Sequence, residues 1–162
     1  MNSGICNLDF YDTGIYTLIL RLDREREICV GSLGMISFMK GYFAYTGSAR
    51  GPGGVKRVKR HLDVLAGLKA VRRWHIDYLL PNTSFEDVVM TYTAQNFECA
   101  IARRIGDELE SIPGFGCTDC RCKSHLHFST DIQKMHSVIE MAHSSFGPNI
   151  STHNTIDSFE YK

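Results

Sequence analysis

The chain has 162 residues, 43% of them hydrophobic, and its 18 Lys and Arg are balanced by 18 Asp and Glu. That length supports one real core rather than two independent domains, and no apolar run approaches the roughly 18 residues a membrane span requires. A net charge of zero would point to no partner if it were evenly spread, and it is not.

The opening "MNSGICNLDF" lacks the charged-then-apolar pattern of a secretory signal, so the expected setting is soluble, reducing and cytoplasmic. "GIYTLILRL" and "REICVG" read as strands rich in β-branched residues, and "MISFMKGYFAYTG" adds two short runs around Lys40 and Gly41. Successive hairpins are the expected arrangement. The period then changes: in "GVKRVKRHLDVLAGL", Val55, Val58, Leu62 and Leu65 recur at helical spacing. "WHIDYLL" continues as a short helix that stops before Pro81, "FEDVVMTYTA" is a strand, and "QNFECAIARRIGDELESI" is a helix ended by Pro113-Gly114. A Cys/His segment ending in "HLHF", a helix from about Asp131 to His143 and a polar tail from Gly147 complete the chain. The expected fold class is α/β or α+β, a small, mainly antiparallel sheet built from N-terminal hairpins and flanked by helices. It forms a single domain over residues 1–146 with a tail over 147–162.

Charge is concentrated between Arg50 and Arg73, where eight Lys and Arg face Asp63 alone, plus seven over 24 residues. From Ser84 to Ser111 six acids face Arg103 and Arg104. A local positive field beside a neutral total suits a polyanion-binding face, against the plainer reading of a solvated helix. At about 100° per residue, Arg57 and His61 lie one turn apart on the same border of the apolar stripe, while Lys56, Arg60 and Asp63 point outward to solvent. The preceding "GSARGPGG" frees backbone N–H groups near a helix N-terminus, a favourable place for an anion. The surface expected to meet nucleic acid comprises Gly47, Ser48, Arg50, Lys56, Lys59, Arg60, Lys69, Arg72 and Arg73.

"GIY" at Gly14–Tyr16 and "YTG" at Tyr45–Gly47, followed by "GSA" and "KRVKRHL", resemble the paired motifs of the GIY-YIG nuclease superfamily. The order through "WHIDYLL" and "PGFGCTDCRCKSHL" is similar to its mainly archaeal, uncharacterised branch, over roughly Gly14 to Phe128. The resemblance implies a GIY-YIG-like domain with a catalytic arginine at Arg57, a histidine one turn later at His61, tyrosines at Tyr16 and Tyr45, and a metal-ligating glutamate at Glu98. Two departures stand out: Tyr16 and Tyr45 are 29 positions apart, and the "RGPGG" turn is long. An additional hairpin in "REREICVGSLGMISFMKG" would leave the two tyrosine strands adjacent.

These residues suit phosphodiester hydrolysis. Arg57 would stabilise charge on the phosphate oxygens, and Glu98 would anchor one Mg²⁺ or Mn²⁺, an ion that keeps most of its waters. Tyr16 is the base that the resemblance implies. An unperturbed tyrosine is about one part in a thousand phenolate at pH 7, however, and His61 competes for the role. The expected function is a metal-dependent DNA endonuclease, structure- or damage-directed as in repair or recombination, with RNA left open as a substrate. The alternative is a non-catalytic nucleic-acid-binding module using the same basic groove.

Of the six cysteines, Cys117, Cys120 and Cys122 crowd into "CTDCRC". With His125 and His127 they are the candidate zinc ligands, the two histidines sharing a face if "HLHF" is a strand. All five fall within 11 residues, tighter than a ribbon or finger allows. The segment therefore reads first as a buried thiol-rich turn and second as a Zn²⁺ site.

Overall fold

The computed structural model describes residues 13–51, 53–147 and 149–151. Its mixed α+β architecture is built on a six-stranded antiparallel sheet of order β6-β7-β4-β1-β5-β8. The strands are β1 (Gly14–Leu22), β4 (Gly41–Ser48), β5 (Ser84–Tyr92), β6 (Glu110–Ser111), β7 (Leu126–Ser129) and β8 (Asn149–Ser151). A separate hairpin joins β2 (Arg26–Cys29) to β3 (Met35–Phe38). The helices are α1 (Lys56–Leu65), α2 (His75–Leu79), α3 (Glu98–Glu108) and α4 (Ile132–Ser144).

β1 reads as a near-continuous apolar run because it is central and covered on both sides. Tyr16, Leu18, Leu20 and Leu22 point to one core, shared with Val58 and Val64 of α1, Ile76 and Leu79 of α2, and Phe38 and Val30 of the hairpin. Ile15 and Ile19 point to the other, with Ile101 and Ile105 of α3 and Met135 and Ile139 of α4. The hairpin expected between the tyrosine motifs is present. Among the described residues β2 pairs only with β3, in the register Ile28 to Ile36, and β1 meets β4 directly, with Tyr16 opposite Gly47 and Leu18 opposite Tyr45.

Two boundaries and one buried face differ from those the sequence implies. α3 stops at Glu108, because Leu109 turns extended and Glu110–Ser111 pair with Phe128 and His127 on β7. Pro113 and Gly114 thus open a loop rather than end a helix. α1 buries Val58, His61 and Val64, with Val64 rather than Leu62 completing the inner face. Past Gly147, residues 149–151 pair with Val89–Thr91 of β5 as β8, and the tail from 152 onward lies outside the described residues. α4 begins as expected at Asp131, whose carboxylate accepts from the Gln133 and Lys134 N–H groups as an N-cap. No helix among the described residues is long and apolar enough to cross a membrane.

α4 is tied to the sheet by buried polar contacts, among them His136 at 3.7 Å from the buried Asp87 of β5 and those of His143. His143 lies between Thr17, whose Oγ1 is 2.8 Å from Nε2, and Thr91, whose Oγ1 is 2.9 Å from Nδ1. Burial pushes the His143 pKa down to about 4. A histidine depressed on folding contributes stability that is full above its unfolded pKa, near 6.5, and is lost as pH falls toward the folded value. Burial acts with the same sign on His61 and His127. Unfolding free energy should therefore fall between pH 6.5 and pH 4, by at most about 1.4 kcal/mol per pH unit for each such histidine. Chemical denaturation of the parent and of His143→Gln at pH 7 and pH 4.5 checks this. The variant should show a shallower pH slope, and an equal slope would remove His143 from the account.

Candidate active site and metal-binding cluster

Two glycines let β1 lie close to its neighbours, Gly47 on the β4 side and Gly14 on the β5 side. A Cβ on Gly47 would lie 2.5 Å from the Tyr16 hydroxyl and 2.6 Å from the ring carbon bearing it, so the bare backbone of Gly47 is the surface on which the Tyr16 ring rests. A Cβ on Gly14 would collide with the Thr91 carbonyl of β5. Each motif glycine is thus a close-packing position.

Supported by Gly47, the buried Tyr16 places its hydroxyl 2.6 Å from His61 Nε2. Both groups are held in their neutral forms. Burial, reinforced by Tyr45, raises the Tyr16 pKa well above its ordinary value. Burial, then the nearby Arg60 guanidinium, lowers that of His61 to about 3. His61 Nδ1 is buried and has no hydrogen-bond partner among the described residues. The His61 ring is enclosed edge-on by Tyr45 at 5.9 Å and Trp74 at 5.8 Å. Burial, then Glu98, also drives the Tyr45 pKa upward.

Arg57 is fixed by a 2.6 Å hydrogen bond from its guanidinium to the Ser48 carbonyl, and its charge lies 5.3 Å from the Trp74 ring centre. The outward direction expected for Arg60 is not observed. Arg60 is 17% exposed and makes two 2.9 Å bonds to the buried Asp77 carboxylate while stacking 4.2 Å from the centre of Trp74. The reason is local to α2. Asp77 also accepts from the Arg73 and Trp74 N–H groups, so the short helix begins around a buried carboxylate that needs a cation. Despite burial, which alone would raise it, Arg60 and these N–H groups hold the Asp77 pKa below its usual range.

A cavity of about 210 Å³ opens over these groups. Tyr16, Tyr45, Gly47, Ser48, Arg57 and Glu98 all line it, as do Arg73, Trp74, His75, Gly116, Thr118 and Asp119. His61 contributes from beneath, through Tyr16. Of the expected nucleic-acid surface, Gly47, Ser48 and the exposed Arg73 border the cavity. Lys56, Arg50 and Arg72 are exposed nearby in sequence, Arg50 donating to the Ala94 carbonyl and Arg72 to that of Val71. Lys59 and Lys69 both approach Asp63, at 3.1 and 3.9 Å.

The Cys/His segment does converge, with a different membership from the one the sequence suggests. Ligand atoms of Cys99, Cys120, Cys122 and His125 all lie within 4.8 Å of one another, a set that can hold a metal ion. Cys117 is outside the group and its thiol donates to the Phe115 carbonyl. His127, one strand position past β7's first residue, faces Gly106 of α3 instead. The loop is shaped by backbone bonds from His125 to Phe115, Gly114 to Lys123 and Thr46 to His125, and by Gly116 at φ 75°. Its Gly116 N–H is also anchored on His75 Nδ1. Cys99 is the ligand that spacing could not reveal, since it stands 21 positions before Cys120 on a different element. Against burial, which would lower it, Glu98 and Cys122 hold His125 up at about 9.

The model of a family described as "Domain of unknown function DUF123" matches residues 15–148. No match was found among curated proteins or among solved structures.

Gly47→Ala should push the Tyr16 ring off β4 and lower stability by about 1–3 kcal/mol. Tyr16→Phe should cost about 1–3 kcal/mol, because it leaves His61 Nε2 as a second buried nitrogen without a partner. Denaturant unfolding checks both, and a stability change under about 0.5 kcal/mol in Tyr16→Phe would show that the contact carries little.

Proposed function

The chain belongs to this family, and we propose that it is a GIY-YIG-type endonuclease that hydrolyses phosphodiester bonds in DNA with the help of one Mg²⁺ or Mn²⁺. The observation that carries the reading is the shared cavity. Two motif tyrosines, a fixed guanidinium and a glutamate, far apart in sequence, line one depression beside a basic surface.

Arg57 receives the scissile phosphate. Its hydrogen bond to Ser48 and its place above Trp74 fix its direction, so little reorganisation accompanies charge build-up on the nonbridging oxygens. The first turn of α1 carries Lys56 and Arg57 and no acid, placing positive side chains at the positive end of the helix dipole. A bound phosphate relieves that repulsion.

Neither Tyr16 nor His61 is a strong base alone, but the pair works as a relay. With the neutral imidazole carrying its proton on Nδ1, the Tyr16 O–H donates to Nε2. As water attacks phosphorus, the tyrosine oxygen takes the water proton and passes its own to His61. The bridging P–O bond breaks, and the departing oxygen takes a proton from solvent. A phosphate at Arg57 offsets part of the positive field that, after burial, depresses His61, and so raises its basicity when substrate is present. Glu98, 27% exposed on the cavity wall, would be the oxygen donor to the divalent ion, and Asp119 is a second carboxylate on the same wall. When bound, that ion supplies stabilisation of charge on the departing oxygen.

A second reading, a nucleic-acid-binding module without hydrolysis, draws on one feature: Glu98 Oε1 already sits 3.0 Å from His125 Nδ1.

Cleavage of labelled single-stranded, duplex, flap and branched DNA with Mg²⁺, Mn²⁺ or EDTA tests the proposal. Metal-dependent scission should fall about 100–1,000-fold in Arg57→Ala and be lost in Glu98→Ala, with both variants still folded. Salt-sensitive binding without scission across the panel would favour the module.

A further inference from the structure

The proposed hydrolysis leaves the Cys/His cluster without a role, although it lies against the catalytic cavity. The cluster joins Cys99, the second residue of α3, to Cys120, Cys122 and His125 of the loop before β7. Cys122 and His125 are buried, and Cys99 and Cys120 are half-buried. His125 Nε2 is 3.5 Å from Cys120 Sγ and 3.8 Å from Cys99 Sγ. In a tetrahedral site with zinc–sulfur bonds of about 2.3 Å and zinc–nitrogen bonds of about 2.0–2.1 Å, the S···N edge is about 3.6 Å and the S···S edge about 3.8 Å. Both of these S···N separations lie close to that edge, and all four ligand atoms fall within 4.8 Å of one another. Three thiols and one imidazole are soft and borderline donors, suited to zinc and poorly suited to Mg²⁺ or Mn²⁺.

The other nitrogen of His125 gives the site its consequence. Nδ1 lies 3.0 Å from Glu98 Oε1 and 3.2 Å from the Thr46 carbonyl. A metal on Nε2 leaves the imidazole proton on Nδ1, directed at these oxygens. That is the metal–histidine–carboxylate arrangement that orients a ligand ring and strengthens its hold.

We propose that Cys99, Cys120, Cys122 and His125 Nε2 hold one Zn²⁺, and that this ion fixes Glu98 on the cavity wall through the His125 Nδ1–H donor. The zinc site and its bonded carboxylate stand independently of hydrolysis. Only the benefit to catalysis rests on the role given to Glu98 above. The ion closes the loop before β7 onto the first turn of α3, two pieces of chain otherwise separated by the whole of that helix. Glu98 is then a positioned group rather than a free surface side chain.

The test needs no DNA. Protein purified under reducing conditions without chelator should contain one zinc per chain by elemental analysis. Its Co²⁺-substituted form should show thiolate charge-transfer and tetrahedral visible bands. Cys120→Ser should lose the zinc, and Cys117→Ser should retain it. In competition with a chelator, Glu98→Gln should bind zinc about 10–100-fold more weakly, while Arg57→Ala should match the parent. Because a cysteine variant can fail to fold, the Co²⁺ spectrum of the parent and the Glu98→Gln competition carry the decision. Substoichiometric metal, iron in place of zinc, or a Co²⁺ spectrum without thiolate bands would overturn the site. Unchanged zinc affinity in Glu98→Gln would overturn its link to the cavity.

Discussion

The antiparallel pairing of β1 with β4, with Tyr16 set opposite Gly47, is the constraint on which the rest of the site depends. It brings a bulky ring onto a position with no side chain, and the hydroxyl is thereby carried to His61 on α1. Tyr16 and Tyr45 are 29 positions apart, yet the register tolerates the insertion because β2 and β3 satisfy each other's backbone and do not compete for β1. Longer connections add closure entropy only slowly, and Phe38 and Val30 return apolar area to the core. The hairpin therefore elaborates the fold without displacing its centre.

From that centre the cations divide by what they touch. Arg60 is committed to Asp77 and Trp74, where its loss would leave a buried carboxylate without its cation. Trp74, held between Arg60 and His61, is in effect a wall of the cavity. Arg57 keeps its charge at the cavity, its direction fixed by a backbone carbonyl. Counting positive charge along the sequence treats these arginines alike. Only the packing of α2 separates the structural one from the one available to an anion.

Much of the fold was legible because its signals are local. β-Branched runs marked β1, β4 and β5, and the helix expected from about Asp131 matches α4. Arg57 and His61 were legible together, since helical geometry alone puts them on one border. The inner half of α1 was less so: the buried His61 occupies a place that an apolar-stripe rule gives to an aliphatic residue, and the rule then favours Leu62 over Val64. The end of α3 depended on a partner strand 15 or more positions away, which no helix-stop signal reports. The metal cluster was legible only in part, in Cys120, Cys122 and His125, for the same reason. Its three loop ligands crowd too closely to enclose an ion by themselves, and the fourth comes from another element.

That fourth ligand follows directly on the glutamate. Successive residues on a helix diverge by about 100°, so the first turn of α3 can offer Glu98 to the cavity and Cys99 to the thiol cluster. On the proposed assignments the two donor types would keep two metal chemistries apart: a hard oxygen for an ion that retains its waters, soft sulfurs for one that does not. His125 spans the gap, with one ring nitrogen toward each side. A partly exposed carboxylate on the first turn of a helix would otherwise sample many rotamers. Holding it through a ring that is itself clamped by thiols and by the β4–β7 backbone converts a mobile acid into a fixed one. A cavity in which Tyr16 and Arg57 are already immobilised by neighbours gains most from that further restriction.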